Sequence, residues 1–239
     1  MPRDRGGPGP DRLVLVAGTG TEVGKTWVAS RLIGVLRAGG AVVAARKPAQ
    51  SADPGDDPAG LDAAVLARAS GERADQVCPP SRSYGIALAP PMAADALGRP
   101  AFSVSDLVAE LAWPGTWTDS ATYPRVGLVE TAGGVRSPQA DDGDVVDLLA
   151  LLQPDLVVLV ADAGLGTLNV VRLSADALTD AGRLAPERLA VVLNRFDPGD
   201  DLHRRNRSWL TDRFGLSVLV TPGDEEPLAA LTLGSLTPG

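Results

Sequence analysis

The chain is predicted to fold as a three-layer α/β unit, with a mainly parallel central sheet and helices on both faces. Three observations predict it. Short apolar runs rich in β-branched residues recur along the sequence, and such fully apolar runs suit parallel strands buried on both faces. Helical stretches alternate with them, which is the order of a parallel sheet with crossover helices. The notable polar residues, among them Lys47, Glu130, Asp162, Asn194 and Thr221, fall at the ends of these runs, where ligands gather in such sheets.

The elements follow in order. Residues 13–17 read as the first strand, just after Asp11-Arg12. A glycine-rich turn and a helix over 26–38 come next, then a strand over 41–46. The segment 51–58 is acidic and carries Pro and Gly, so it reads as a mobile loop. A helix over 60–69 precedes 84–100, where three prolines and little alternation predict irregular chain bordering a pocket. Further helices are expected over 105–112, 143–152, 168–181 and 203–214, and strands over 126–130, 156–161, 189–193 and 217–220. No internal repeat is evident. Residues 1–11, rich in Gly, Pro and Arg, read as a disordered tail, and 12–239 as one domain.

Composition bounds the function. A chain of 239 residues is long enough for one large α/β domain with a sizeable core. Its net charge of −8 argues against general binding to nucleic acid or to an anionic membrane. Cys78 is the sole cysteine, which leaves no intrachain disulfide and no cysteine-based metal cluster. No apolar run approaches a membrane span, and the first residues lack the apolar core of a secretion signal. A cytoplasmic protein is therefore expected. The sole histidine, His203, lies in an Arg-rich helical stretch and reads as a solvated surface residue.

The chemistry is announced by lysine. Only Lys25 and Lys47 occur, against twenty arginines among the 22 Lys and Arg. A lysine kept in so biased a composition points to a site that needs a compact ammonium on a flexible stem. Lys25 closes Gly18-Thr19-Gly20-Thr21-Glu22-Val23-Gly24-Lys25-Thr26, between a strand and a helix. That is the context of a phosphate-binding P-loop, and the fold expected is P-loop NTPase-like. The glycines let backbone N–H groups converge on phosphate oxygens, and the helix N-terminus adds its partial positive charge. Lys25 can then reach the terminal phosphates of ATP or GTP, and the Thr26 hydroxyl can ligate Mg²⁺. The spacing departs from the usual form, since Gly18 and Gly24 enclose five residues. Lys47 ends the next apolar run, in Arg46-Lys47-Pro48.

Taken together these elements resemble the dethiobiotin synthetases. The loop from Gly18 to Thr26 resembles that family's loop, including its five-residue spacing. Lys47-Pro48 with Ser51, the Leu61-Asp62-Ala63 helix start and Val129-Glu130-Thr131-Ala132-Gly133-Gly134 resemble further family elements, in the family's order. So do Leu165-Gly166-Thr167-Leu168-Asn169, Asn194 and Pro222.

The resemblance implies a reaction among 7,8-diaminopelargonate, CO₂ and MgATP. One amine becomes a carbamate, the carbamate attacks the γ-phosphate, and the second amine closes a cyclic urea. Lys25 is implied at the phosphates and Lys47 facing it across the carbamate, with Thr21 and Ser51 near the reacting diamine. Gly18 through Thr26 would cradle ATP, with Asn194 and Pro222 at the base. Thr26, Asp62 and Glu130 would form the Mg²⁺ shell. Ala132, Gly133 and Gly134 would turn N–H groups to substrate, and Leu165 through Asn169 would bind its carboxylate across the two-fold axis of a homodimer.

Other readings stay open. Asp62 fits an ordinary helix N-terminal acid, with Asp56 and Asp57 as nearby alternatives for the metal. Asn194 fits a turn cap before Asp197-Pro198, and Asn169 a helix surface position. Gly20, Thr131 and Val170 depart from the family pattern and bear on the substrate. The rival functions are a related ATP-dependent ligase for another small amine or carboxylate, and a partition-type regulatory ATPase. The latter carries a second signature lysine where this chain has Gly20. A corrinoid amidotransferase relative would need a glutaminase domain with a nucleophilic Cys.

Overall fold

The computed structural model describes residues 9–115, 117 and 123–234. In chain order the elements are β1 (Arg12–Gly18), α1 (Lys25–Ala38), β2 (Val42–Arg46), β3 (Gln50–Ser51), α2 (Asp62–Ser70), α3 (Ala74–Val77), β4 (Ser83–Tyr84), α4 (Pro90–Ala96) and α5 (Val104–Ala109). They continue with β5 (Arg125–Glu130), α6 (Val145–Leu152), β6 (Leu156–Asp162), α7 (Thr167–Thr179), β7 (Leu189–Asn194), α8 (Asp201–Ser208), β8 (Ser217–Thr221) and α9 (Glu225–Leu233). Six strands make one fully parallel sheet in the order β2-β5-β1-β6-β7-β8. The second sheet is only β3 paired with β4.

Alternation along β1 shows why this sheet has two cores. Leu13, Leu15 and Ala17 point into the cluster under α5, α6 and α7. Val14 and Val16 point into the other, packed against Val28, Leu32 and Leu36 of α1 and Leu66 of α2. Each such side chain contributes about 1.5–3 kcal/mol of burial, an upper estimate against an extended chain. A charge placed at Val16 would have no water on either side of the sheet. No helix among the described residues is long and apolar enough to cross a membrane.

Every expected strand is present, to within a residue at each end. The helices are present too, with edges moved by their caps. Asp144 caps α6, so it begins at Val145, and the Ser103–Asp106 capping box starts α5. The stretch expected as a helix over 203–214 begins earlier, where Asp200 accepts from the N–H groups of Leu202 and His203, and its last turn widens into a π-turn over Trp209–Arg213.

Three expectations need correction. The segment 84–100 is not irregular throughout: Tyr84 belongs to β4, and Pro90 and Pro91 stand in the first turn of α4, where their missing N–H groups cost nothing. His203 is not simply solvated. Its Nδ1 accepts from the Asp197 N–H at 3.0 Å, and its ring leans on buried Phe196. Within the expected tail, residues 1–8 fall outside the described residues, while Pro10 is buried and Asp11 pairs with Arg125 at 2.5 Å, closing the lower end of β1 and β5.

Candidate nucleotide and substrate site

The site lies at the carboxyl ends of the strands. β1 runs into the glycine loop, and α1 starts at Lys25 after Gly24, which takes a left-handed φ of 91°. Gly24 is demanded twice over, because a Cβ there would also sit 2.0 Å from the amide nitrogen of Asn194. A Cβ on Gly18 would meet Lys25 Cδ at 2.9 Å, so that glycine lets the lysine fold back over the loop. Lys25 Nζ donates to the Gly20 carbonyl at 2.8 Å. Burial, helped by the positive charge of Lys47, brings the Lys25 ammonium down to about 8, against the pull of Glu130 and Asp62.

The second lysine is deeper. Lys47 Nζ lies 2.6 Å from Glu130 Oε1 and 2.7 Å from Asp62 Oδ2, and also donates to the Thr131 carbonyl at 3.2 Å. Burial alone would lower its pKa, but the two carboxylates override this and hold it above the usual lysine value. Burial raises the Glu130 carboxyl, with Lys47 opposing. Asp62 is also pushed upward by burial, yet Lys47 and the Thr26 hydroxyl hold it below the ordinary range.

Thr26 joins the same group, its hydroxyl 2.6 Å from Asp62 and 2.8 Å from Glu130. The other Glu130 oxygen, Oε2, is buried without a hydrogen-bond partner among the described residues. Two carboxylates, one hydroxyl and one orphaned oxygen fit Mg²⁺, which keeps several waters and takes few protein ligands. Asp56 and Asp57 are spent elsewhere, Asp56 on the Asp53 N–H and Asp57 on that of Ala59.

Lys25, Thr26, Lys47 and Asp62 line one cavity of about 800 Å³, with Glu130 buried behind them. Thr21, Glu22, Gly24, Lys25 and Thr26 form its floor, Lys47 and Asp62 one wall, and Ala132 and Gly133 another. Ser51 closes it from β3, its hydroxyl buried and unpartnered among the described residues. Thr19 and Gly20 face a neighbouring cavity of about 460 Å³ instead, with Gly134 and the α7 residues Leu173 and Ser174. Val23 backs the loop, its carbonyl accepting from Asn194.

Several expected residues stand apart from the main cavity or spend their donors within their own loop. The Ala132 and Gly134 N–H groups are taken inside their own loop, by Gln139 and by Ser137. Asn194 is buried, its amide donating to the Val23 carbonyl at 3.0 Å and accepting from Thr221 at 3.3 Å, with exposed Pro222 next in the chain. The turn Leu165-Gly166-Thr167-Leu168-Asn169 starts α7 away from the cavity. Leu165 is 92% exposed, and Asn169 also faces out. Thr131 does not crowd the Glu130 carboxylate, because its hydroxyl turns to the Val16 carbonyl. Val170 lies on the open face of α7.

Two contributors escaped the sequence reading. Gln50 accepts from the Ala63 N–H and donates to Ser83, tying the Asp62 helix to the small sheet. Arg195 lines the cavity beside Glu22. Its place directly after Asn194 at a strand end was the available signal.

Known proteins resemble this chain in sequence and in fold. A family model described as an AAA domain matches residues 12–224. The ATP-dependent dethiobiotin synthetase BioD of Haloferax mediterranei is 36% identical over 207 residues, covering 87% of this chain and 82% of that protein. Its namesake from Streptomyces coelicolor is 36% identical over 229 residues, covering 95% and 90%. Among solved structures, the signal recognition particle receptor FtsY from Elizabethkingia anophelis matches at a TM-score of 0.50 and 17% identity. It covers 93% of this chain and 62% of that longer one, and the likeness concerns the fold alone. With an AAA-domain match over most of its length and relatives 36% identical over 87% or more of it, the chain belongs to the family of ATP-dependent dethiobiotin synthetases.

Proposed function

We propose that this protein makes dethiobiotin, by ATP-dependent carboxylation and ring closure of 7,8-diaminopelargonate with CO₂. The observation that carries the reading is the pair of lysines on one cavity, Lys25 from the phosphate loop and Lys47 from the next strand, with Thr26, Asp62 and Glu130 between them. A carbamate and a triphosphate are both anions, and their repulsion is the main obstacle to bringing them together. Two compact cations in a sheltered site offset it, and positioning does the rest. The carbamate oxygen attacks the γ-phosphorus and ADP leaves. The second amine then attacks the carbamoyl carbon and expels phosphate, releasing its proton to water.

Each residue has a task in this scheme. Lys25 follows the γ-phosphate, trading the Gly20 carbonyl for phosphate oxygen. Lys47 trades one of its three partners, the weakly held Thr131 carbonyl, for the carbamate end, and Ser51 and Thr21 offer hydroxyls to the diamine. Thr26, Asp62 and Glu130 hold Mg²⁺, which supplies charge neutralisation to the phosphates when bound. Asn194 and Pro222 border the base. The exposed turn Leu165–Asn169, with Leu173 63% exposed on the same helix, serves a second copy of the chain, so that the substrate carboxylate is bound across a homodimer.

The test is mass spectrometry for the cyclic urea with labelled bicarbonate, MgATP and the diamine. Label should enter dethiobiotin. Lys47→Met and Lys47→Arg should both lose turnover while ATP still binds, because a guanidinium keeps the charge without the compact shape. Tight ATP binding with no labelled product at any diamine concentration would sink this substrate.

A further inference from the structure

A helix begins with N–H groups that have no partner inside the helix, and a side chain at its start usually answers one of them. Helix α2 has no such side chain of its own. Leu61, the residue before it, is apolar and caps nothing. Asp62, its first residue, is the kind of acid that commonly serves the helix it opens. Here it turns away instead: Oδ1 accepts from the Thr26 hydroxyl at 2.6 Å, and Oδ2 lies 2.7 Å from Lys47 Nζ.

The missing acceptor comes from another element. The side-chain oxygen of Gln50, in β3, accepts from the N–H of Ala63, the second residue of α2, at 3.0 Å. The side-chain nitrogen of Gln50 donates at 3.0 Å to the hydroxyl of Ser83, the residue that Gln50 faces across the small sheet. Chemistry fixes the way this amide points, since only its oxygen can accept from an N–H. Gln50 is buried, and its chain neighbour Ser51 lines the main cavity with it.

Two features narrow what this bond does. The body of α2 is held without it, because Ala63, Leu66 and Ala67 pack in the core with Val28 and Leu32 of α1. The bond therefore bears on the first turn, where Asp62 stands. The cap is also neutral. A carboxylate in its place would set a third negative charge near Asp62 and Glu130, which already share the single ammonium of Lys47.

We propose that Gln50 is a positioning residue for the metal: by capping α2 from the small sheet, its amide leaves Asp62 free to turn both carboxylate oxygens into the site. The inference rests on the metal reading of Thr26, Asp62 and Glu130 given above. Partners that orient a metal ligand without touching the metal typically govern affinity tenfold or more.

The test is calorimetric binding of MgATP, and of ATP in excess EDTA, to the wild type, Gln50→Met and Gln50→Glu, with hydrogen exchange followed at the Ala63 amide. Gln50→Met keeps the length and loses the oxygen. It should weaken MgATP about tenfold, leave metal-free ATP largely unchanged and speed exchange at Ala63. Gln50→Glu keeps an oxygen for the Ala63 N–H, so it should hold both MgATP affinity and slow exchange. A residue that merely props up the fold would lose both forms of ATP in step in Gln50→Met, and that outcome overturns the proposal. Loss of MgATP in Gln50→Glu to the same degree as in Gln50→Met overturns it too, as does unchanged exchange at Ala63 in Gln50→Met. A preference for MgATP that is equal in wild type and Gln50→Met would sink the role of Gln50 and leave the metal site standing. Wild-type protein that binds MgATP no tighter than metal-free ATP would sink both.

Discussion

The phosphate end of the site and the start of α7 make an instructive contrast. At the phosphate end the polar side chains answer one another within the same chain, Lys25 on Gly20, Thr26 on Asp62 and Glu130, Lys47 on both carboxylates, Asn194 on Val23, and the orphaned Glu130 Oε2 lies among them. The start of α7 has the opposite character. Leu165 stands 92% exposed, Leu173 63%, and the buried Thr167 hydroxyl has no partner among the described residues. A region that satisfies itself is read as pre-organised machinery. A region with large apolar side chains in water and an unanswered hydroxyl is read as half of something, which is why a second copy of the chain enters the proposed function.

The contrast can be broken at either side. Lys25→Ala should have the largest effect, a fall in ATP turnover on the order of 10²–10⁴, because a phosphate clamp acts on charge that develops in the transition state. Undiminished turnover in that variant would remove the phosphate end from the argument altogether.

A smaller effect is expected from mixing. Lys25→Ala and Asn169→Ala subunits, each inactive alone, should together recover about a quarter of wild-type activity, since half the random dimers are mixed and each of those holds one intact site. A fully active monomer in sedimentation would show that α7 serves its own chain, and the two regions would then be equal in kind.

The smallest effect concerns pH. The Lys25 pKa is lowered to about 8 in the folded protein, so above that value the loop lysine is increasingly neutral. Phosphate favours the ammonium and raises the pKa again, so nucleotide binding must take up a proton there. ATP affinity should fall severalfold as pH rises from about 7 to about 9, with proton uptake visible by calorimetry in buffers of different ionisation enthalpy. Affinity that rises over this range would contradict the sign.

How much of this was legible beforehand differs by scale. The six main strands were readable because each is built on a short apolar run, such as 156–161, which is buried throughout. β3 and β4 were not, because two residues have no period to detect. The glycine loop was readable as a local pattern. The meeting of Asp62 and Glu130 was suggested by family resemblance, as a metal shell, and not by local pattern, while their pairing with Lys47 was not foreseen, since those residues are far apart in sequence and meet only once β2, β5 and α2 are assembled. Arg195 was missed for the same reason: its neighbours Glu22 and Asp162 belong to other strands' ends. The engagement of the Ala132 and Gly134 N–H groups by Gln139 and Ser137 could not be foreseen, since a Gly-rich stretch reads the same whether its donors face a ligand or its own loop.

The two-residue sheet of β3 and β4 has a consequence for how such a protein can change over time. It carries Ser51 and, through Gln50, steadies the helix of Asp62, yet it shares no strand with the six-stranded sheet. Its strands pair only with each other. Mutations and insertions there can reshape the wall that meets the small molecule while the loop that grips phosphate keeps its frame. The same architecture can therefore be refitted to a new amine by altering a patch held together by four residues, a far shorter route than rebuilding a strand of the core.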